Sequence, residues 1–215
     1  MVMATEKGIV KKTQLSAYSN PRKKGIYAVE IREGDSLIEA RVSNGENDIL
    51  LGTTNGKSIR FSEEQIRPSG RKTMGVKGIT LSSKDDKVVG MLLIKREGTV
   101  LVATENGFGK RTEIIQYRAQ KRGGKGVLTM KTTDKIGKMI TIKEVVGTDD
   151  LMIIRDDGVL IRMPVSQIRT IGRATQGVKL IKLAEGTKVS AITRIISEEE
   201  KTADEPENNP EPQDA

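Results

Sequence analysis

At 215 residues, 35% of them apolar and 31% charged, the chain has room for one domain of repeated units and enough Val, Ile and Leu for a core. Cysteine and histidine are both absent, which excludes disulfides, thiolate nucleophiles, zinc clusters and His general bases together. The net charge of +8 hides an asymmetry: from Glu198 onward eight acids face Lys201 alone, so the tail carries −7 and the body before it +15.

In chain order, the first β-rich run, Val2-Met3-Ala4-Thr5, meets Lys7-Gly8, and a short strand follows. A basic loop, Arg22-Lys23-Lys24, then precedes Gly25-Ile26. Beyond it the alternation of Val29 and Ile31 predicts a third strand, and 37–42 a fourth. The same order recurs three times. Openings end at Asn55-Gly56, Asn106-Gly107 and Asp157-Gly158, with second strands such as 57–61 and 159–163. The Asn-Gly pairs favour a type I′ hairpin turn, which needs φ > 0 at both central positions. Third strands are expected at Ile79 and Leu81 and at Ile181 and Leu183, with closing runs at 88–94, 139–146 and 189–196.

Two glycine series keep this order in phase. Gly8, Gly56, Gly107 and Gly158 are 48, 51 and 51 residues apart, and Gly25, Gly75, Gly126 and Gly177 are 50, 51 and 51 apart. Four short strands per unit of about fifty residues is the size of a propeller blade. The reading is therefore all-β: a β-propeller or pinwheel with blades at about 1–48, 49–98, 99–149 and 150–197, and a disordered acidic tail over 198–215.

Charge repeats with the same phase. Four positions after each turn glycine stands a cation: Lys12, Arg60, Arg111 and Arg162, with Lys110 beside the third. The loop before each second glycine is basic too: Arg22, Lys23 and Lys24; Arg71 and Lys72, with Lys77 just beyond; Lys121, Arg122 and Lys125; Arg169 and Arg173. Equal offsets on equivalent strands predict equivalent points on the outer face of each blade, hence a positive belt. Such a belt suits double-stranded DNA, whose phosphates recur at regular steps. Bending 20–30 bp through 40–90° costs on the order of 1–6 kcal/mol, so several spaced contacts are needed. Only Tyr18, Tyr27, Tyr117, Phe61 and Phe108 are aromatic, too few for single-strand stacking platforms.

Three other motifs lead nowhere. Gly56-Lys57-Ser58 ends like a phosphate-binding loop, but Leu51 stands where its first glycine belongs and a strand follows. The pairs Asp85-Asp86, Asp149-Asp150 and Asp156-Asp157 fall between strands, where Asp favours turns over metal sites. The tyrosines are expected as partial core, and no metal, cofactor or membrane role is expected.

The segments 4–13, 55–61, 73–79, 106–112 and 172–178 together resemble the later blades of the DNA gyrase A C-terminal domain, the match running from about Val2 to Ile196. The related topoisomerase IV A protein shares the repeat less regularly. The resemblance implies a pinwheel-like propeller, usually six-bladed, that wraps DNA within an ATP-dependent A2B2 enzyme. It implies the remaining gyrase A and gyrase B polypeptides as partners, with ATP and Mg2+ bound elsewhere, and a bacterial, cytoplasmic, chromosome-associated setting. Only four blades and no cleavage tyrosine are present, so a fragment or a split gene product is expected. Gln120-Lys121-Arg122-Gly123-Gly124-Lys125-Gly126 resembles the family's wrapping box, displaced from a first blade to the third repeat. A basic scaffold for an acidic protein partner is the other function class consistent with the charge.

Overall fold

The structure is a computed structural model that describes residues 1–195. The predicted tail, 198–215, and Ile196 at the end of the last predicted strand lie outside the described residues.

Fifteen strands form four blades among the described residues. The first repeat gives β1 (Val2–Thr5), β2 (Ile9–Lys12) and β3 (Leu37–Arg41). The second gives β4 (Asp48–Thr53), β5 (Lys57–Ser62), β6 (Val76–Lys77) and β7 (Val88–Ile94). The third gives β8 (Thr99–Thr104), β9 (Phe108–Glu113), β10 (Val127–Leu128) and β11 (Met139–Val145). The fourth gives β12 (Asp150–Arg155), β13 (Leu160–Pro164), β14 (Val178–Lys179) and β15 (Val189–Ile195). A single turn of 3-10 helix follows each second strand, at Leu15–Tyr18, Glu63–Gln65, Ile114–Gln116 and Val165–Gln167.

The third strand of each repeat is not in its own blade. The sheets run β3-β1-β2-β6, β7-β4-β5-β10, β11-β8-β9-β14 and β15-β12-β13. Thus β6, β10 and β14 each cross to the outer edge of the preceding blade, where the sequence had each repeat completing its own sheet. These strands are only two residues long and lie directly after the second glycine, earlier than the alternating residues suggested. In the first repeat the equivalent stretch, 26–31, forms no strand.

Neighbouring blades approach one another through β3, β7, β11 and β15, which form the inner layer. The apolar core lies between blades. One cluster joins Val2 and Val10 of the first blade to Ile49, Ile59 and Phe61 of the second, and holds Ile79 from the exchanged segment. Fully burying a side chain of this size is worth about 1.5–3 kcal/mol, so exchange welds neighbours together.

The hairpins also differ from expectation. No described non-glycine residue has positive φ, so the Asn-Gly turns are not type I′. Instead Gly56 N–H donates to Thr53 O at 3.0 Å and Gly56 itself is left-handed at φ +74°. This is a type I turn closed by one glycine, the three-residue hairpin pattern.

Candidate nucleic-acid interface

The cations four positions after each turn glycine sit at blade seams, and the free outer face read from their spacing holds for one of them. Lys12 Nζ donates to Glu63 O at 2.9 Å, in the 3-10 turn of the next blade. Arg60 donates to Ile114 O and Tyr117 O, both at 3.2 Å, while its Nε binds Asp48 at 2.7 Å. Arg111 Nε donates to Ile168 O at 2.8 Å. The carbonyls of Tyr117 and Ile168, which close their 3-10 turns, gain a charged donor in this way, while those of Glu63 and Ile114 also accept the turn's own N–H, from Ile66 and Tyr117. Arg162, in the last blade, has only the intrablade partner Asp150 among the described residues, and its side chain is 63% exposed.

Lys110 is displaced from the expected belt altogether. It is buried, and its ammonium binds the carbonyls of Gly172, at 2.6 Å, and Arg173, with Thr175 Oγ1 at 3.0 Å. Burial first, and the nearby Arg173 second, lower its pKa to about 8. Lys11, which the cation spacing does not single out, repeats this device in the first blade: it is buried and donates to Ala28 O and Arg71 O. One arginine in each exchanged loop is also structural. Arg71, Arg122 and Arg173 stand four residues before their glycines, and each donates to a carbonyl of the preceding repeat: Tyr27, Lys77 and Leu128, at 3.0–3.1 Å.

What remains at the surface is a smaller, more regular set. Arg22, Lys23, Lys24, Lys72, Lys77, Lys121, Lys125, Arg162 and Arg169 are exposed. Arg169 belongs to a series that the sequence reading missed: Arg67, Arg118 and Arg169 each stand eleven residues after their turn glycine. All three are exposed and make no hydrogen bond or ion pair to another side chain among the described residues. The same offset counting that singled out the seam cations could have found them.

The box-like loop is laced onto the blade before it. Gln120 N–H donates to Arg60 O at 2.8 Å, and Gly123 N–H to Gly78 O at 2.6 Å. Thr80 N–H reaches Gly124 O at 2.8 Å. Arg122 adds a bond to Gln65 O at 2.9 Å. Gly126 is left-handed at φ +69°, and a methyl group there would lie 2.3 Å from Ser58 O. The close approach expected of this glycine is therefore to protein backbone. Lys121 and Lys125 alone of the three cations project to solvent.

The other motifs have structural roles. Lys57-Ser58 opens β5 beyond a hairpin turn. Asp86 accepts from Ser82, Asn55 and Thr54, closing a loop. Buried Asp149 pairs with Arg96 at 3.0 Å, and no cluster of three or more metal-ligating side chains occurs among the described residues. Tyr117 is core, bonded to Thr129 at 2.7 Å, and burial raises its pKa. Tyr27 departs from the partial core expected of it, being 75% exposed.

These features define a class: an all-β propeller of strand-exchanged blades, clamped at each seam by buried or half-buried cations and carrying a second set of cations outside. The sequence matches the family described as DNA gyrase C-terminal domain, beta-propeller, over residues 1–44, 47–95, 98–145 and 149–195. It is 45% identical over 202 residues to the DNA gyrase A protein of Staphylococcus epidermidis (strain ATCC 12228 / FDA PCI 1200), covering 93% of this chain and 22% of that protein. It is 43% identical over 211 residues to the DNA gyrase A protein of Staphylococcus aureus (strain NCTC 8325 / PS 47), covering 97% and 24%. A solved DNA gyrase A C-terminal domain shares the fold at TM-score 0.81 and 20% identity, covering 91% of this chain and 65% of that one. The C-terminal domain of a DNA topoisomerase IV does so at 0.85 and 22%, covering 90% and 61%. The chain belongs to the DNA gyrase C-terminal domain β-propeller family. It spans about a quarter or less of the length of these gyrase A proteins. No described helix is long and apolar enough to cross a membrane.

Proposed function

We propose that the chain is a non-catalytic module that binds and wraps double-stranded DNA for a type II topoisomerase, acting with the remaining gyrase A and gyrase B polypeptides in a bacterial cytoplasm. The observation that carries the reading is the series Arg67, Arg118 and Arg169, exposed at one offset on three successive repeats. Lys72, Lys121 and Lys125 stand exposed in the neighbouring loops, and Lys77 stands exposed on β6. Equivalent cations on blades of one repeat present charge at a fixed step, which a bent duplex can follow with its phosphates. Nothing in the arrangement offers base-reading groups in a series, so sequence preference is weak and affinity falls steeply with salt. ATP and Mg2+ act in other parts of the enzyme, and this chain supplies geometry and charge.

The test is ligation of nicked circular DNA in the presence of the purified chain, followed by separation of topoisomers. Wrapping of one hand shifts the linking-number distribution in one direction, in proportion to bound protein. An unchanged distribution, at concentrations where a gel shift shows full binding, would leave a DNA-binding propeller that does not wrap. No binding at all would favour an acidic protein as the partner of the same cations.

A further inference from the structure

Three blade edges are strand pairs shared between repeats: β2 with β6, β5 with β10 and β9 with β14. Each holds two directly opposed couples. Val76 opposes Val10, Val127 opposes Ser58 and Val178 opposes Gly109; one step along, Lys77 opposes Ile9, Leu128 opposes Lys57 and Lys179 opposes Phe108. Directly opposed residues project from one face of a sheet, and successive couples from opposite faces. Burial follows that rule. Val10, Ser58 and Gly109 are buried, whereas no member of the second set is.

Every couple of the second set is one lysine and one apolar residue. The donated strand supplies the lysine on β6 and β14, and the accepting strand supplies it on β5. Counted by repeat the series is broken: the second repeat holds Lys57 and Lys77, the third has Phe108 and Leu128 at those positions, and the fourth holds Lys179. Counted by blade it is complete, with one lysine at one point on three successive edges. Lys57 stands one residue after its turn glycine, while Lys77 and Lys179 stand two residues after a glycine of the second series. Only the exchange of strands brings them into line.

The three ammonium groups make no hydrogen bond or ion pair among the described residues, and Lys179 lies over the Phe108 ring, 5.8 Å from its centroid. Each lysine has a half-buried apolar residue directly across the pair, Ile9, Leu128 or Phe108. A lysine so placed can lay its stem on apolar surface and keep its charged head in water. The backbone at this point is held by the next repeat: Arg122 donates to Lys77 O at 3.1 Å and Arg173 to Leu128 O at 3.0 Å. A methyl group at Gly123 would lie 3.8 Å from Lys77 Cγ, so the box-like loop runs alongside the first of the three lysines.

We infer, on the DNA-wrapping reading above, that Lys77, Lys57 and Lys179 form a second row of phosphate contacts, one per blade, set on the exchanged strand pairs and separate from Arg67, Arg118 and Arg169. A duplex laid across successive blades meets this row at the blade step, and each ammonium takes a phosphate as a point charge without demanding one orientation. Lysine on an edge strand can instead serve only to block edge-to-edge pairing. The two roles separate in the salt dependence of DNA binding, which an edge guard leaves alone.

The decisive change moves the lysine across its pair. Lys57→Leu removes one contact from a blade with a described neighbour on either side, so the slope of log K against log salt should fall by about 0.9 in magnitude and affinity at 0.1 M salt by about eightfold. Adding Leu128→Lys returns the charge to the same point from the opposite strand, and should restore both. Leu128 belongs to none of the buried apolar clusters among the described residues, so the fold should accept it. Lys179→Leu is the independent variant, in a blade whose lysine sits on the donated strand, and should show the same loss as Lys57→Leu. Fluorescence anisotropy with a labelled duplex reads slope and affinity, and urea denaturation checks that each variant is folded. Folded lysine variants that keep the parent slope would leave these residues as edge guards and overturn the inference. A loss that Leu128→Lys fails to restore in a folded chain would overturn it too, since the charge would then act from one residue rather than from one point on the edge. A parent chain that binds no duplex would remove the DNA-wrapping reading and the row with it; a parent that binds, with folded variants indistinguishable from it, removes the row alone.

Discussion

Replacing Arg67, Arg118 and Arg169 together by Ala should separate DNA contact from blade clamping. All three are exposed and bond no other side chain among the described residues, so the change should be nearly neutral for folding, within about 0.5 kcal/mol per site. If each neutralises one phosphate, the slope of log K against log salt should fall by about 2.7 in magnitude, and affinity at 0.1 M salt by roughly 500-fold. The matched variant is Arg60→Met, which strands the carbonyl of Tyr117 and the carboxylate of Asp48 and leaves the carbonyl of Ile114 only the Tyr117 N–H. Losing hydrogen bonds to a charged group costs about 1.5–3 kcal/mol, so its denaturation midpoint should drop while its salt slope stays put. Fluorescence anisotropy with a labelled duplex from 50 to 300 mM salt, beside urea denaturation, reads both. Should the triple variant keep the parent slope while Arg60→Met lowers it by about one, the division into seam and surface cations is wrong.

Within the box-like loop, Lys121→Ala with Lys125→Ala should weaken duplex binding and leave stability intact. Arg122→Ala, which loses the bonds to Gln65 O and Lys77 O, should instead lower the unfolding midpoint; equal effects of the two changes on both readouts would refute the distinction. Gly75→Ala places a methyl group 2.4 Å from Val10 O at φ +93° and should destabilise far more than Gly25→Ala, which at φ +77° meets nothing within 4 Å and bears only the backbone cost of about 1–2 kcal/mol. Similar midpoints for the two would mean the first exchange junction is not tight. Lys110 has its pKa lowered by burial to about 8 in the folded chain against 10.5 when free, so the unfolded state holds more protons between those values. Stability relative to Lys110→Met should therefore rise with pH from 8 to 10.5, its cost being full below pH 8; a fall over that window in paired urea titrations would show that the ammonium is held in its charged form.

The repeat and its strands were legible because glycine spacing is fixed by the backbone. Each turn needs a left-handed residue at its end, and each exchanged strand needs one where Cβ would strike its partner, so two phased glycine series survive in the sequence. Ownership of the third strand was not legible. A two-residue strand carries no periodicity, and its own blade and the preceding one are equally compatible with the order of elements. The role of the cations failed for a related reason. Alternation along β5 or β9 gives the side of the strand on which Arg60 or Arg111 lies, but the carbonyls they meet belong to a 3-10 turn about 54–57 residues away. The buried Lys11 and Lys110 ran against composition-level reasoning altogether, since lysine is almost never buried unless paired. Their partners are carbonyls of the next repeat, which sequence alone does not place nearby.

On the proposed DNA-wrapping reading, one repeat spends its cations on two tasks that support each other. A duplex bent around separate blades would pull on every junction, and a rim charge can hold a phosphate in place only if its blade cannot rotate away. Strand exchange resists that rotation through backbone bonds and shared core. The seam residues Lys12, Arg60 and Arg111 resist it by binding carbonyls of the next blade. Arg122 extends the same restraint into the loop that carries the exposed Lys121 and Lys125, and Arg173 into the loop that follows Arg169, each tied to the strand donated by the repeat before it. Positive charge buried at the seams contributes little to attracting DNA, but it fixes the step between the exposed arginines. A regular step is what allows contacts made on one blade to remain in register on the next.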